Sequence, residues 1–455
     1  MKIERVLPLL LIGAVALSSM NSLTSCNKPD DPIVIDTTDP TDPPTLSRIL
    51  SGEIAANKSL TNDSAWTIKG YVYVKDGATL TIPAGTILRS DVVDKGAIIV
   101  ERGGKIMAEG TANAPIVFTS GLPKGQRRPG DWGGIIILGK APTNRSSEPT
   151  IEGGVNRQYG GTNPNDNSGV LKYVRIEFAG IAAAPGSEIN GLTLGGVGDG
   201  TIIENVMVSY GNDDAFEIFG GTVNCKNLIA WATLDDDYDM DFGYTGRIQF
   251  AISAKHPQLA DNGDASNGIE CDNDGTGTTL IPITHPKLSN FTFVGPNSRT
   301  NTQTNHNFAN RWRRSAHFSL RNSVMIGFQK GGFSIESAES GASFANGTSE
   351  FRNNLVHAVI KPFIGGSGSG LTDSSVKAIA VMQGSMQLDS ANQVIFSNPW
   401  HLSNPGFVPQ AGSPALTGAD FSGTSGFEPV PFRGAIGSTD WTQGWTNWDP
   451  NSADY

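Results

Sequence analysis

The stretch Ala78-Thr79-Leu80-Thr81-Ile82-Pro83-Ala84-Gly85-Thr86-Ile87 is echoed nineteen residues on by Ala97-Ile98-Ile99-Val100-Glu101-Arg102-Gly103-Gly104-Lys105-Ile106, and a further short run, Ile116-Val117-Phe118-Thr119, follows. These are strand-length β-branched runs set between glycines, and amphipathic helical periodicity is hard to find anywhere after residue 46. A period near twenty, with three strands in each unit, suits one coil of a solenoid. An antiparallel β-sandwich would instead need hairpin turns every eight to twelve residues. The expected fold is therefore all-β: a right-handed, single-stranded parallel β-helix over residues 46–430.

Outward from this repeat, an asparagine recurs before apolar strands: Asn205, Asn227, Asn290, Asn322 and Asn354 precede Val206, Leu228, Phe291, Ser323-Val324 and Leu355. In a parallel β-helix such asparagines can stack at a turn, each amide bonding along the axis. The longer gaps between them call for inserted loops or an unrecognised coil.

Two further segments share an Asp-Asp-x-aromatic-acid-apolar-x-x-Gly pattern at a spacing of 22: Asp213 to Gly221 and Asp235 to Gly243. A looser copy runs from Gly268 to Asp274. Strand alternation turns Phe216, Tyr238 and Ile269 inward, with Ile218, Met240 and Cys271 as the next inward stack. Outward lie the columns Glu217/Asp239/Glu270 and Phe219/Asp241/Asp272, flanked by Asp237 and Asp274.

Between Gly211 and Gly275 there are thirteen Asp/Glu against three Lys/Arg, nearly the whole of the chain's net −11. Like charges about 4.8 Å apart on neighbouring strands destabilise a sheet unless something compensates them. A hard cation, raised carboxyl pKa values, or pairing with Arg311, Arg313 and Arg314 would each do so. A carboxylate set without His or Cys points to Ca²⁺, with Asp213, Asp214, Glu217, Asp235, Asp236, Asp237, Asp239, Asp241, Glu270, Asp272 and Asp274 as candidate ligands. The Asp235–Asp241 run lacks the glycine and terminal glutamate of an EF-hand. Arg311, Arg313 and Arg314 are the candidate ligand-binding cations. No long basic run suggests nucleic acid.

At the N-terminus, Lys2 and Arg5 precede an apolar run from Val6 to Leu17, the layout of an export signal over residues 1–25 and too short for a membrane span. Leu23-Thr24-Ser25-Cys26 resembles a bacterial lipobox, which implies lipidation at Cys26. Residues 26–45, rich in Pro, Asp and Thr, are expected to form a disordered tether. Cys225 and Cys271 are read as two buried thiols.

Gly103-Gly104-Lys105-Ile106-Met107-Ala108-Glu109-Gly110-Thr111 with Pro115 to Ser120, Asp131-Trp132-Gly133-Gly134-Ile135, Asp213 to Gly246, and the closing Phe432 to Gly437 with Trp441, Trp445 and Trp448 resemble the β-helical surface lipoproteins of Bacteroidetes-type bacteria, in the pectin-lyase-like superfamily. The resemblance implies outer-membrane anchoring, facing the exterior, but no settled activity. A weaker likeness joins Gly211 to Phe216 to the Asp-Asp strand of polygalacturonase-type hydrolases, although no Gly-His-Gly and no Arg-Ile-Lys follow. Pectate-lyase-type chemistry would need Ca²⁺ and a basic residue, for which Lys255 and the three arginines are candidates. The tryptophans of residues 431–455 are expected to cap the open end of the helix, with a sugar-stacking platform as the alternative.

The leading functional expectation is binding of an extracellular polymer, a polysaccharide above all. The alternatives are a lyase or hydrolase acting at the acidic face, and a structural adhesin or subunit of a surface complex with protein partners.

Overall fold

A computed structural model describes residues 48–455 apart from 146, 185 and 186. The signal, Cys26 and the tether of residues 26–45 lie outside the described residues. The repeat winds as expected. A sheet of 26 strands wraps around one axis, and all its strand pairings are parallel. This is a right-handed parallel β-helix, the hand that a parallel crossover takes in almost all proteins.

Each central coil has three faces. One carries the strands Leu192–Gly195, Phe216–Phe219, Tyr238–Asp241, Ile269–Cys271 and Arg311–Trp312. The other two are formed by long strands, Gly169–Glu177, Ile202–Ser209, Asn224–Trp231, Arg247–Ala254 and Lys287–Val294, each bent in the middle. The bend falls at Tyr173, Asn205, Asn227, Phe250 and Asn290, and the same corner continues at Asn322 and Asn353; all seven have φ between 50° and 60°. Asparagine tolerates this left-handed conformation better than most residues, which explains its recurrence. In the last of these coils the corner residue is Asn353, not the expected Asn354. The amides do not form one continuous axial ladder: Asn290 and Asn322 instead bond outward to the C-terminal segment.

Inside, register builds unbroken apolar stacks. Ile203, Cys225, Ile248 and Leu288 align in one; Ile218, Met240, Cys271 and Trp312 align in another. All are buried, and Phe216 lies flat on Tyr238 at 5.2 Å. Both Cys225 and Cys271 are buried free thiols, and burial pushes Cys225 up to about 12.

The C-terminal tryptophans occupy a different place from the expected cap. The outer side of the third face is itself apolar at Met207, Ile229, Ile252 and Val324, and residues 388–448 cover it with Val394, Phe407, Trp445 and Trp448. Strands apolar on both sides require such a cover. The segment runs back along the flank: Asp420 meets Asn322, Phe432 meets Asn290, Trp448 accepts from Trp231 through its carbonyl, and Pro450 reaches Arg127. Residues 431–455 thus form a lateral strap. The final coil is completed instead by a helix (Asp373–Met382), which places Val376 and Ala380 in the interior core beyond the Lys361–Gly365 strand.

Candidate functional site

The outward acidic column forms on the first face. Thr193, Glu217, Asp239, Glu270 and Arg311 stand in direct register on successive strands, so their side chains share one side about 4.8 Å apart. Phe219 and Asp241 pair in the adjacent column. The turns that enter these strands stack as well. Asp214 accepts a hydrogen bond from the backbone N–H of Asp236 at 2.9 Å, and Asp236 in turn accepts from the N–H of Asn267. Each carboxylate therefore caps the turn of the next coil and keeps its other oxygen for the cluster.

Compensation is divided along the axis. On the C-terminal side, Glu270 pairs with Arg311 at 3.0 Å and with Arg313, while Asp272 pairs with Arg313 at 2.8 Å and Arg314 at 2.6 Å. Arg311 is also held by a two-point contact to Glu336. Farther along, Glu152, Asp213, Asp214, Glu217, Asp235, Asp236, Asp239 and Asp241 have no ion-pair partner among the described residues. Burial, reinforced by neighbouring carboxylates, lifts Asp213 to about 7 and Asp235 and Asp241 to about 8. The same causes hold Asp214, Glu217, Asp236 and Asp239 well above the usual carboxylate range. Glu270 rises to about 8 despite its arginines, chiefly through burial.

Three sets of carboxylate oxygens converge to within 4.8 Å of one another: Asp213/Asp214/Asp235, Asp214/Glu217/Asp239, and Asp236/Asp239/Glu270. Asp239 belongs to two of them, and its Oδ1 is buried without a hydrogen-bond partner. An oxygen-only, charge-rich donor set with an orphaned buried oxygen fits a hard divalent cation.

Two expected ligands are turned elsewhere. Asp237 precedes the strand, and its side chain enters a buried corner where it bonds Lys255 at 2.9 Å, Thr233 at 2.6 Å and Ser253 at 2.5 Å. Lys255 is wholly enclosed in that pair, so it cannot reach a ligand as a base. Asp274 folds onto Thr276 and Thr278, whose donors bring it down to about 2. Two contributors went unread in the sequence. Glu152 comes from the loop after the Ile135–Leu138 strand, and it shares a carboxyl–carboxyl hydrogen bond with Glu217 while Asn190 donates to both. No repeat could have indicated Glu152. Asn190 did carry a signal, since it stands two residues before its strand just as Asp214 and Asp236 do.

The profile of a pectate-lyase-like β-helix domain matches residues 52–394, three-quarters of the chain. The chain belongs to the pectate-lyase-like β-helix family. No curated protein and no solved structure matches it. In this pectate-lyase-like chain Arg311 and Arg313 are consumed by ion pairs, whereas Arg314 is 42 % exposed with Asp272 on one side only. Arg314 is thus the cation of the cluster best placed to meet a ligand from solvent.

Proposed function

We propose that the chain is a surface lipoprotein, lipidated at Cys26 and held on the outer membrane, that binds an extracellular acidic polysaccharide across the carboxylate column with the help of Ca²⁺. The observation that carries this reading is the pair of three-carboxylate nests sharing Asp239, in which, among the described residues, Glu270 alone has cationic partners, on the outer side of a pectate-lyase-like β-helix. Asp214, Glu217, Asp236, Asp239 and Glu270 would hold the ion. Bound Ca²⁺ would supply the positive charge that a sugar carboxylate requires, and Arg314, paired with Asp272, would offer a second one. Binding is favoured over lyase chemistry because the basic side chains nearest the column are ion-paired or buried.

A hydrolase is the second reading, supported by the hydrogen-bonded carboxyls Glu152 and Glu217, one of which must carry a proton. The test is calorimetric titration of Ca²⁺ into EDTA-stripped protein, paired with native gels containing polygalacturonate or alginate. Wild type should bind Ca²⁺ and be retarded in a Ca²⁺-dependent way, and Asp239→Asn should lose at least tenfold in Ca²⁺ affinity. No heat of binding, or identical behaviour of Asp239→Asn, would remove the cation from the proposal. New reducing ends released from the polymer would turn the assignment to the hydrolase.

A further inference from the structure

A groove lies at the corner where the long strands bend. There the strap, docked on the β-helix through Gly434 and Ala435, leaves beside Phe432, Ser438, Thr439 and Trp441 an open volume of about 530 Å³. Its floor is the corner ladder, in which Asn205 and Asn227 occupy successive coils. At the same ladder position farther along, the amides already grip the chain itself. Asn290 donates to the Phe432 carbonyl at 2.9 Å, and Asn322 both donates to the Asp420 carbonyl at 3.2 Å and accepts from its N–H at 2.9 Å. Asn205 and Asn227 are part-exposed, and their amides have no hydrogen-bond partner among the described residues. The ladder thus offers two outward amides where the strap leaves a gap.

Aromatic pairs flank that gap along the axis. Phe250 packs on Phe432 at 6.1 Å, and Tyr173 meets Trp445 at 5.9 Å, with Trp441 stacked next to it. Tyr173 and Phe250 hold the left-handed corner conformation, uncommon for such residues, at φ 50° and 60°. The charges lining the groove cancel: Lys172 pairs with Glu204 at 3.2 Å and Lys226 with Glu428 at 2.6 Å. An anionic ligand finds no free cation here, in contrast to the acidic face.

We infer that this groove binds a neutral polysaccharide chain lying parallel to the β-helix axis. Paired amide donors and acceptors answer sugar hydroxyls, and the part-exposed rings of Tyr173, Phe432 and Trp441 answer the apolar faces of pyranose rings. Successive coils are about 4.8 Å apart, close to the advance per residue of an extended pyranose chain, so one amide meets one ring. A peptide strand is disfavoured, since it adds to an unpaired sheet edge, whereas the strand backbones here are already paired on both sides. The site does not depend on a cation at the acidic face.

The test uses the mature chain in native gels containing hydroxyethyl cellulose, xylan or glucomannan, followed by calorimetry with the matching hexasaccharide. Glycine keeps the left-handed corner while removing the amide, so Asn205→Gly/Asn227→Gly should fold normally and bind at least tenfold more weakly. Ser438→Trp, placed on the exposed rim to obstruct the groove, should do the same. Ca²⁺ binding should be unchanged in both variants, and Asp239→Asn should retain the neutral polymer as wild type does. The inference is overturned if no neutral polymer retards the wild type, if both groove variants bind unchanged, or if retardation is confined to uronate polymers and lost with EDTA.

Discussion

Asp237 and Asp239 stand two residues apart in one acidic run and serve opposite ends. Asp237 is fully enclosed with the Lys255 ammonium, and both also have hydrogen bonds from or to neighbouring groups: Thr233 and Ser253 donate to the carboxylate, and the ammonium donates to the carbonyl of Asp235. A buried pair of this kind adds little net stability over an apolar pair, but removing one partner strands the other charge. Lys255→Met should therefore destabilise the fold by about 3–5 kcal/mol, measured by urea unfolding. A loss below about 1 kcal/mol would mean that Asp237 is readily hydrated or neutralised. Asp239, with one oxygen buried and unpartnered, has no such compensation within the chain. Alternation placed Asp239 in the outward column with Asp237 flanking it as a further ligand. It failed for Asp237 because regular strand geometry begins only at Tyr238, and a side chain one residue earlier follows the corner.

At the scale of the element, the coil corner sets sequence preference. A left-handed backbone costs an ordinary residue roughly 1–2 kcal/mol, while glycine adopts it freely. Asn353→Ala should accordingly cost about 1 kcal/mol and Asn353→Gly much less, as read from thermal melts of the two variants; equal losses would show that the asparagine side chain, not its backbone, stabilises the turn. The coils themselves were legible because a parallel β-helix writes its period into the chain: strand, glycine, strand at intervals of about twenty residues. The inward stacks followed from alternation within those strands. The strap was harder to place. A tryptophan-rich terminus can cover an end or a flank, and composition does not distinguish them. The deciding signal lay in the partner strands, where Met207, Ile229 and Ile252 make the outer side as apolar as the inner one. Glu152 was beyond reach for a different reason, since a long loop delivers it to Glu217 without any periodic relation to the column.

For the molecule as a whole, stacking identical coils converts a local motif into a field of like charge, and the folded state meets that charge by retaining protons. Asp213 at about 7, and Asp235, Asp241 and Glu270 at about 8, stay protonated in the fold at pH values where the unfolded chain has already released its protons, near 4. The folded state then binds more protons than the unfolded one, so stability falls as pH rises through this interval. Buried histidines act in the opposite sense. His285 at about 4 and His306 at about 3 are neutral in the fold while the unfolded chain still takes up protons below its ordinary pKa, so they add stability as pH rises to about 6.5. Above that point only the carboxyls remain, and the window from about 6.5 to 8 isolates them. In EDTA, the melting temperature should fall across this window. With millimolar Ca²⁺ the fall should shrink or reverse, because the ion displaces the protons, binds the folded carboxylates, and binds them more tightly as pH rises. Asp239→Asn should remove most of the difference between the two conditions. A melting temperature in EDTA that is level or rising between pH 6.5 and 8 would instead mean that the column is ionised and solvated without a cation, and that the stacked carboxylates are a hydrated surface.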